Sequence, residues 1–276
     1  MTIDILRYLL YFIIYSFLGW IMESVLKTVL EKKFVNSGFL HGPYCPIYGF
    51  GALIMMFFLG GLKNNLFLLF LAGFFVLSIW EYIVGWFLEK TFHTKYWDYK
   101  DNKFNIKGRV CLLNSFYWGI LGVVFTIWVH PVVINIIASL PQNALIYLDI
   151  ILYIALITDM ITSLIKVKSI EKRIEKIKQI NEAIKEKLEQ LRELSKTKEQ
   201  KKAEEDAKLI ENIKAGIEEL KLQQNKLKLG MYKQLNRLKK AFPTMQSEIA
   251  NKFLNQKVDL QLLKEKIKNK AKEKRK

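Results

Sequence analysis

Four carboxylates stand inside long apolar stretches of this sequence: Glu23, Glu81, Asp149 and Asp159. A charge at bilayer depth costs about 2.5–3.5 kcal/mol on insertion scales, so such a residue turns toward protein and finds partners. Two chemistries are open to it. It can fix helix packing as an ion pair or a protonated carboxyl, or it can hold a proton or a substrate. The neighbours indicate direction. Ser16, Gly19 and Glu23 share one helical face, and Ser78, Glu81 and Gly85 share another. Ser115, Gly119 and Gly122 form a similar stripe. Small residues let helices approach closely, so Glu23 and Glu81 are expected to point into a bundle. Arg109 is the cation expected to pair with one of them.

Other reactive types are thinner. His41, Cys45, His93 and Cys111 include two pairs of zinc-ligand type, but the separations within them match no compact zinc motif. No metal and no cofactor is expected. His41 and Cys45 have the residue types of a base and nucleophile, yet Pro43 between them spoils an i, i+4 pairing and no third member is recognisable. An intramembrane enzyme is therefore the least favoured reading, and no catalytic residue can be named.

The elements that must position these residues follow from composition. Residues 1–165 carry 11 Lys+Arg against 9 Asp+Glu, and all six tryptophans. Residues 166–276 carry 32 against 17, which holds most of the +17 net charge. The first part contains five segments near the roughly 20 residues that span a bilayer: about 4–26, 44–62, 66–89, 110–131 and 145–165. The first lacks a basic n-region and a small-x-small cleavage site, so an uncleaved membrane helix is expected. The expected fold is all-α: a polytopic membrane bundle of five transmembrane helices over 1–166, followed by a cytoplasmic coiled-coil helical tail over 167–276.

Alternating loops give the orientation. Lys27, Lys32 and Lys33, then Lys90 to Arg109, then the whole tail fall on one side, while 132–144 has no Lys or Arg. The positive-inside bias places the first set in the cytoplasm and the N-terminus outside. Cys45 and Cys111 then lie at the cytoplasmic boundary, where a disulfide is not expected.

Two pieces resemble each other. Glu23, Glu31, Phe34 and Cys45 are echoed by Glu81, Glu89, Phe92 and Cys111. Topology would give both pairs the same orientation, as in parallel repeats. Between the first two segments runs "GFLHGPYCPIYGFG", residues 38–51. Pro43 and Pro46 suit a first helical turn, where N–H groups are unpaired anyway. Gly38 and Gly42 allow tight turns, and Gly49 and Gly51 allow close helix approach. A folded loop packed into the cytoplasmic mouth is expected.

The stretch "KYWDYKDNKF", 95–104, alternates aromatics and lysines. It suits an interfacial anchor or an anionic headgroup. In the tail, Ile170, Ile177, Ile184 and Leu191 fall at d positions and Ile174, Asn181 and Leu188 at a positions. A second run from Ile210 to Met231 follows one residue out of phase, so one long helix and a helical hairpin are both open. Gly230 and Pro243 would break the helix before a short basic C-terminal helix. The basic charge fits anionic lipid beside the membrane better than nucleic acid, for which no motif is present. The heptads also suit a partner helix or a homo-oligomer.

Taken in order, "FLGWIMES", "FVNSGFLHGPYCPIYGFG", "WEYIVGWFLEKTF", "YWDY", "FNIKGRVCL" and "YWG" resemble a bacterial family of CmpB-like ABC-transporter permeases, over about residues 8–125. A vertebrate transmembrane-protein family is also similar. The resemblance marks as signature positions Gly19, Trp20, Glu23, Phe34, Asn36, Gly38, Gly42, Pro43, Cys45, Pro46, Tyr48, Gly49, Glu81, Glu89, Trp97, Asp98, Tyr99, Gly108 and Arg109. Ser37 departs from it, since the family often has a basic residue there. The resemblance implies a permease-like transport component of unknown substrate in a bacterial cell membrane. Its cavity would be lined by Glu23, Glu81, Arg109, Asn36, Trp97 and Asp98. The structural loop would hold Gly38, Gly42, Pro43, Cys45, Pro46, Tyr48 and Gly49. The chain has no Gly-x4-Gly-Lys-Ser/Thr phosphate loop and no coupling loop of the Glu-Ala-Ala type. A separate subunit would therefore supply any ATPase. The alternative is a membrane-anchored scaffold that recruits partners through its tail.

Overall fold

The structure is a computed structural model, and it describes residues 3–196 and 203–247. The described residues form helices joined by loops. These are α1 (Ile3–Glu31), α2 (Pro46–Leu59), α3 (Leu66–Phe92), α4 (Leu112–Val124), α5 (His130–Ala138), α6 (Gln142–Lys196) and α7 (Ala203–Ala241). α7 runs through Gly230, so that glycine does not break the helix as expected, and the short basic C-terminal helix expected after Pro243 lies outside the described residues.

Four helical stretches are long and apolar enough to cross a membrane: Ile3–Glu31, Leu66–Phe92, Leu112–Ala138 and Gln142–Leu194. The fifth apolar helix, Pro46–Leu62, is shorter. It consists of α2 and a 3-10 turn at Gly60–Leu62, a rise of about 27 Å against a hydrocarbon core of about 30 Å. Large apolar side chains stand exposed along these helices, among them Phe57, Phe67, Phe75, Ile79, Ile151 and Ile154. Apolar residues so placed in contiguous sets suit lipid rather than water.

Local chemistry explains the helix ends. Pro46 is the first residue of α2 and Cys45 its N-cap. Asn65 caps α3 by accepting from the Leu68 N–H at 3.1 Å. His93 ends α3 in the left-handed region, with φ 48°. The sequence places the end of the fourth span at about residue 131. The helix instead continues to Ala138, through a π turn at Phe125–Val129. A wider turn absorbs the hydrogen bond that proline cannot make. Val133 and Ile137 beyond it are buried in the same core as Leu59, Leu69 and Leu145.

The chain divides into two compact units. Among the described residues, one comprises 3–163 with 237–247 and the other lies within 164–236. In the first, the most extensive helix contacts are α3 with α4 and α1 with α2. Both pairs meet at small residues. A Cβ on Gly19 would lie 2.3 Å from Tyr48 Cβ, and one on Gly122 would lie 3.0 Å from Gly73 Cα. The two pairs also share a construction. Cys45 and Cys111 are the N-caps of α2 and α4. The third residue after each, Tyr48 or Asn114, donates to the acid on the preceding helix, Glu23 or Glu81. The repeat read from a few residues therefore coincides with equivalent contacts.

In the second unit α6 and α7 run antiparallel. Gln224 donates to Asn181, Gly216 lies against Lys187, and Gly230 lies against Arg173. Of the two tail arrangements open from the sequence, a hairpin is the one formed. Asn181, set among apolar heptad positions, meets a polar partner of the same chain. Ile170, Ile177, Ile180, Ile213 and Ile217 are buried, whereas Leu188 is exposed.

Close helix contact at Gly49 yields a sharp comparison. A Cβ there would lie 2.3 Å from Ser16 Oγ and 2.6 Å from the Phe12 carbonyl oxygen, whereas one on Gly61 would meet nothing within 4 Å. Gly49→Ala should lower unfolding stability in detergent by about 1–3 kcal/mol, and Gly61→Ala should change it by less than about 0.5 kcal/mol. Thermal melts of the two variants measure the difference.

Candidate functional site

Glu81 sits on the face of α3 that meets α4, and it is 4% exposed. Its carboxylate is held by three neutral donors. Tyr99 Oη and Asn114 Nδ2 donate to Oε1 at 3.2 and 2.8 Å, and Trp118 Nε1 donates to Oε2 at 2.9 Å. Asn114 also donates to Tyr99 Oη at 3.0 Å. Burial, and then the charge and hydrogen bond of Glu81, push the Tyr99 hydroxyl far above its usual range, so it remains a donor. Among the described residues no cation lies within ion-pair distance of Glu81.

The sequence reading gave Arg109 to Glu23 or Glu81, and the structure corrects this. Arg109 donates from Nε and Nη2 to Glu89 Oε2 at 3.0 and 2.8 Å, and from Nη1 to Tyr82 Oη at 3.0 Å. The reason is where the arginine crosses α3. Its Cβ and Cγ pack at Gly85, and Glu89 lies about one turn from Gly85 on the loop side. Glu81 lies about one turn the other way, toward the apolar interior. Burial lowers the Arg109 pKa, but its bonds to Glu89 outweigh that and leave it raised.

Glu23 is built differently. It accepts from Tyr48 Oη at 3.1 Å and from Lys27 Nζ at 3.0 Å, and its side chain is 26% exposed. Tyr48 joins the two acids. Its hydroxyl serves Glu23, while its ring lies 6.0 Å from that of Trp118, a donor to Glu81. A cavity of about 20 Å3, room for roughly one water, lies beside Glu81. Its wall includes Tyr48, Trp80, Glu81 and Trp118.

The other three residues expected in the cavity lie in loops. Asn36 accepts from Trp20 Nε1 and donates to the His41 carbonyl, both at 2.7 Å. Trp97 donates from Nε1 to the Arg109 carbonyl at 2.8 Å. Asp98 lies 3.6 Å from Lys95 Nζ and packs on Gly108, whose φ of +71° and close approach leave no room for a Cβ. These contacts order the loops beside the site. Tyr96, Trp97 and Tyr99 also differ from the expected interfacial anchor. Tyr96 is 3% exposed, and all three turn toward protein rather than outward.

The residues of the 38–51 loop are secured from two sides. Gly38 takes φ +93° beside Cys45 Sγ, the Cys45 N–H donates to the Ser16 carbonyl at 2.9 Å, and Gly49 packs on Ser16. From the other side, Asp159 accepts from the His41 N–H at 3.1 Å and the Gly42 N–H at 2.7 Å. His41 Nδ1 lies 2.7 Å from Ser163 Oγ. Pro43 follows directly in the segment that leads to Cys45. Asp159 was noticed in the sequence only as a charge in a span, and its role as a cap for the loop had no local signal. Asp149 is buried, and among the described residues neither of its oxygens has a hydrogen-bond partner. Nor do any three His, Cys, Asp or Glu side chains among them gather as a metal site.

A further contributor was absent from the sequence reading. The segment from Arg237 to Ser247, in the same unit as the bundle, lies across both loops. Arg237 donates to the Phe39 and Leu40 carbonyls at 2.8 and 3.0 Å. Gln246 and Lys95 exchange backbone hydrogen bonds of 2.8 and 3.0 Å. The Phe242 ring meets Tyr96 edge-on at 5.0 Å and lies under Lys27 Nζ, which also donates to the Ala241 carbonyl. Lys27 thereby connects this segment to Glu23.

Comparison with known families now bears on this geometry. A family model described as "Putative ABC-transporter type IV" matches residues 10–164. The chain belongs to that family. The match contains both helix pairs, both acids and the loops that order them, and it ends before the tail. As a member of this ABC-transporter-related membrane family, the protein is a multi-pass membrane protein, in keeping with its apolar helices. No curated protein and no solved structure matches the chain.

The covering segment makes a testable demand. Cys45 and Cys111 are 4% and 2% exposed, and they stand just inside the covered loops. Combining Arg237→Ala with Phe242→Ala should raise the rate of maleimide labelling at Cys45 by about tenfold or more, a shift of roughly 1.4 kcal/mol in opening. Mass spectrometry of timed labelling measures it.

Proposed function

We propose that this family member is the permease-like component of a transporter, with Glu81 at its substrate or coupling site. One observation carries the reading. Glu23 and Glu89 are matched to Lys27 and Arg109, as structural acids commonly are. Glu81 is more deeply buried, has only neutral donors among the described residues, and borders a cavity. An intramembrane acid held by neutral donors beside a cavity suits a pathway better than a rivet.

In this proposal all five apolar helices span the bacterial cell membrane, with the N-terminus outside. The loops at 27–43 and 90–109 and the basic tail lie in the cytoplasm, which the Lys and Arg distribution supports. The tail acts as a coiled coil beside anionic lipid. A separate ATPase subunit drives the cycle, a partner that family membership suggests.

The test uses the full chain. Tagged protein extracted in mild detergent from its own membrane should bring an ATPase with it. Glu81→Gln should reduce ATP turnover of that complex by at least about tenfold while shifting the melting temperature by no more than a few degrees. Isolation without an ATPase, or a Glu81→Gln complex of unchanged turnover, would contradict the proposal.

A further inference from the structure

The aromatics at 96, 97 and 99 turn inward, and the next turn of the same loop is left facing outward. Its depth follows from three successive contacts on α3. The Tyr96 ring meets Phe92 edge-on at 6.2 Å, Trp97 lies against Gly85, and Tyr99 donates to Glu81. Glu81 stands about 16 Å along the axis from the end of α3 at Phe92, so the chain descends beside the helix instead of rising off it. Asn102 Nδ2 then donates to Cys111 Sγ at 3.3 Å, and the Ile106 N–H donates to the Val110 carbonyl at 3.0 Å. Residues 100–107 therefore lie beside the start of α4, where Leu112 and Leu113 are exposed at the head of a stretch apolar enough to cross a membrane.

The turn is cross-braced through one side chain. Asn105 Nδ2 donates to the Lys100 and Asn102 carbonyls at 3.1 and 2.9 Å, and its Oδ1 accepts from the Gly108 N–H at 3.1 Å. Phe104 and Lys107 take left-handed backbone, with φ 53° and 54°, which a bulky residue seldom adopts. Two apolar side chains stand outward from this frame: Phe104 is 78% exposed and Ile106 58%. Lys100, Lys103 and Lys107 are exposed around them, against one acid in the turn, Asp101. Among the described residues no carboxylate lies within ion-pair distance of these three lysines. The loop after α1, its counterpart in the repeat, has the same pattern. The Val35 and Ser37 N–H groups donate to Thr28 and Ser24 hydroxyls, which folds that loop back along α1. Lys32 takes φ 52°, and Phe34 follows Lys32 and Lys33 at 74% exposure.

We propose that the 100–107 turn is wedged into the headgroup layer of an anionic lipid leaflet. Phe104 and Ile106 reach the acyl boundary and continue the apolar surface of Leu112 and Leu113. Lys100, Lys103 and Lys107 extend to lipid phosphates, since a lysine stem can lie along apolar surface while its ammonium reaches outward. Each basic residue near an anionic surface adds to the attraction, whereas a neutral leaflet offers the rings a boundary but no counter-charge. An acidic protein partner would need the turn to stand clear of the membrane, and its descent beside α3 opposes that. Phe34, with Lys32 and Lys33, makes a second contact of the same kind. The inference goes beyond the transport reading and needs only a multi-pass membrane protein.

The full chain carrying Phe104→Cys, spin-labelled there and reconstituted in vesicles, tests it. Cys45 and Cys111 are buried, and the unsubstituted chain measures their background. Collisions of the nitroxide with oxygen, which concentrates in the bilayer, are compared with collisions with a water-soluble nickel chelate. In vesicles of mixed phosphatidylglycerol and phosphatidylcholine the oxygen-to-nickel ratio should exceed that of free label by about threefold or more. It should fall by about half or more in phosphatidylcholine alone. Replacing Lys100, Lys103 and Lys107 together with Gln should cause the same fall in the mixed vesicles. A ratio equal to that of free label in the mixed vesicles overturns the inference and leaves the turn to a protein partner. A high ratio indifferent to lipid charge and to the lysines overturns it as well, because an apolar contact alone needs no anionic leaflet. If Phe104→Cys does not fold, the same measurement at Ile106→Cys decides.

Discussion

A buried carboxylate with no cation must be solvated by whatever the fold brings to it, and much of this bundle is arranged around that requirement at Glu81. Its donors come from two places: Asn114 and Trp118 on α4, and Tyr99 in the loop before it. Hydrogen bonds to a carboxylate contribute about 1.5–3 kcal/mol each, so the three offset part of the cost of burying it. The requirement also fixes the loop. Tyr99 reaches Glu81 because its N–H donates to the Gly108 carbonyl and because Asp98 packs on a glycine at a left-handed φ. Arg109, next along the chain, ties the same loop to Glu89.

The second helix pair repeats the plan with a different outcome. A cysteine N-cap and a donor three residues later serve Glu23 as they serve Glu81. Yet Glu23 sits nearer its loop, is partly exposed and holds Lys27. One acid is thus neutralised locally and the other is left to neutral donors. Tyr48 touches both arrangements, through its hydroxyl at Glu23 and its ring beside Trp118. Lys27 extends the first arrangement to Ala241 and Phe242. A displacement of the covering segment would then be felt at Glu23 before it reached Glu81.

Much of this was legible in the sequence, because apolar length and small-residue spacing are local properties. The stripes through Ser16 and Gly19, and through Ser78 and Glu81, turned toward helix neighbours as their spacing implied. The echo of Glu23 and Cys45 in Glu81 and Cys111 was visible, and so was the entry of α2 at Pro46. What escaped was long-range. Which acid takes Arg109 depends on where its side chain crosses α3, and Gly85 alone does not announce that. Asp159 finds the 38–51 loop across 117 positions of sequence, and Arg237 finds the same loop across almost 200. The fourth span ran past its expected end because a π turn before Pro131 lets the helix continue to Ala138.

The central claim is that Glu81 faces protein in the folded bundle and is shielded from lipid by its three donors. A carbodiimide confined to the acyl chains tests it directly in reconstituted membranes. The account predicts that Glu81 stays unmodified in the intact protein and becomes reactive once the bundle is unfolded. Rapid modification of Glu81 in the folded state would contradict it.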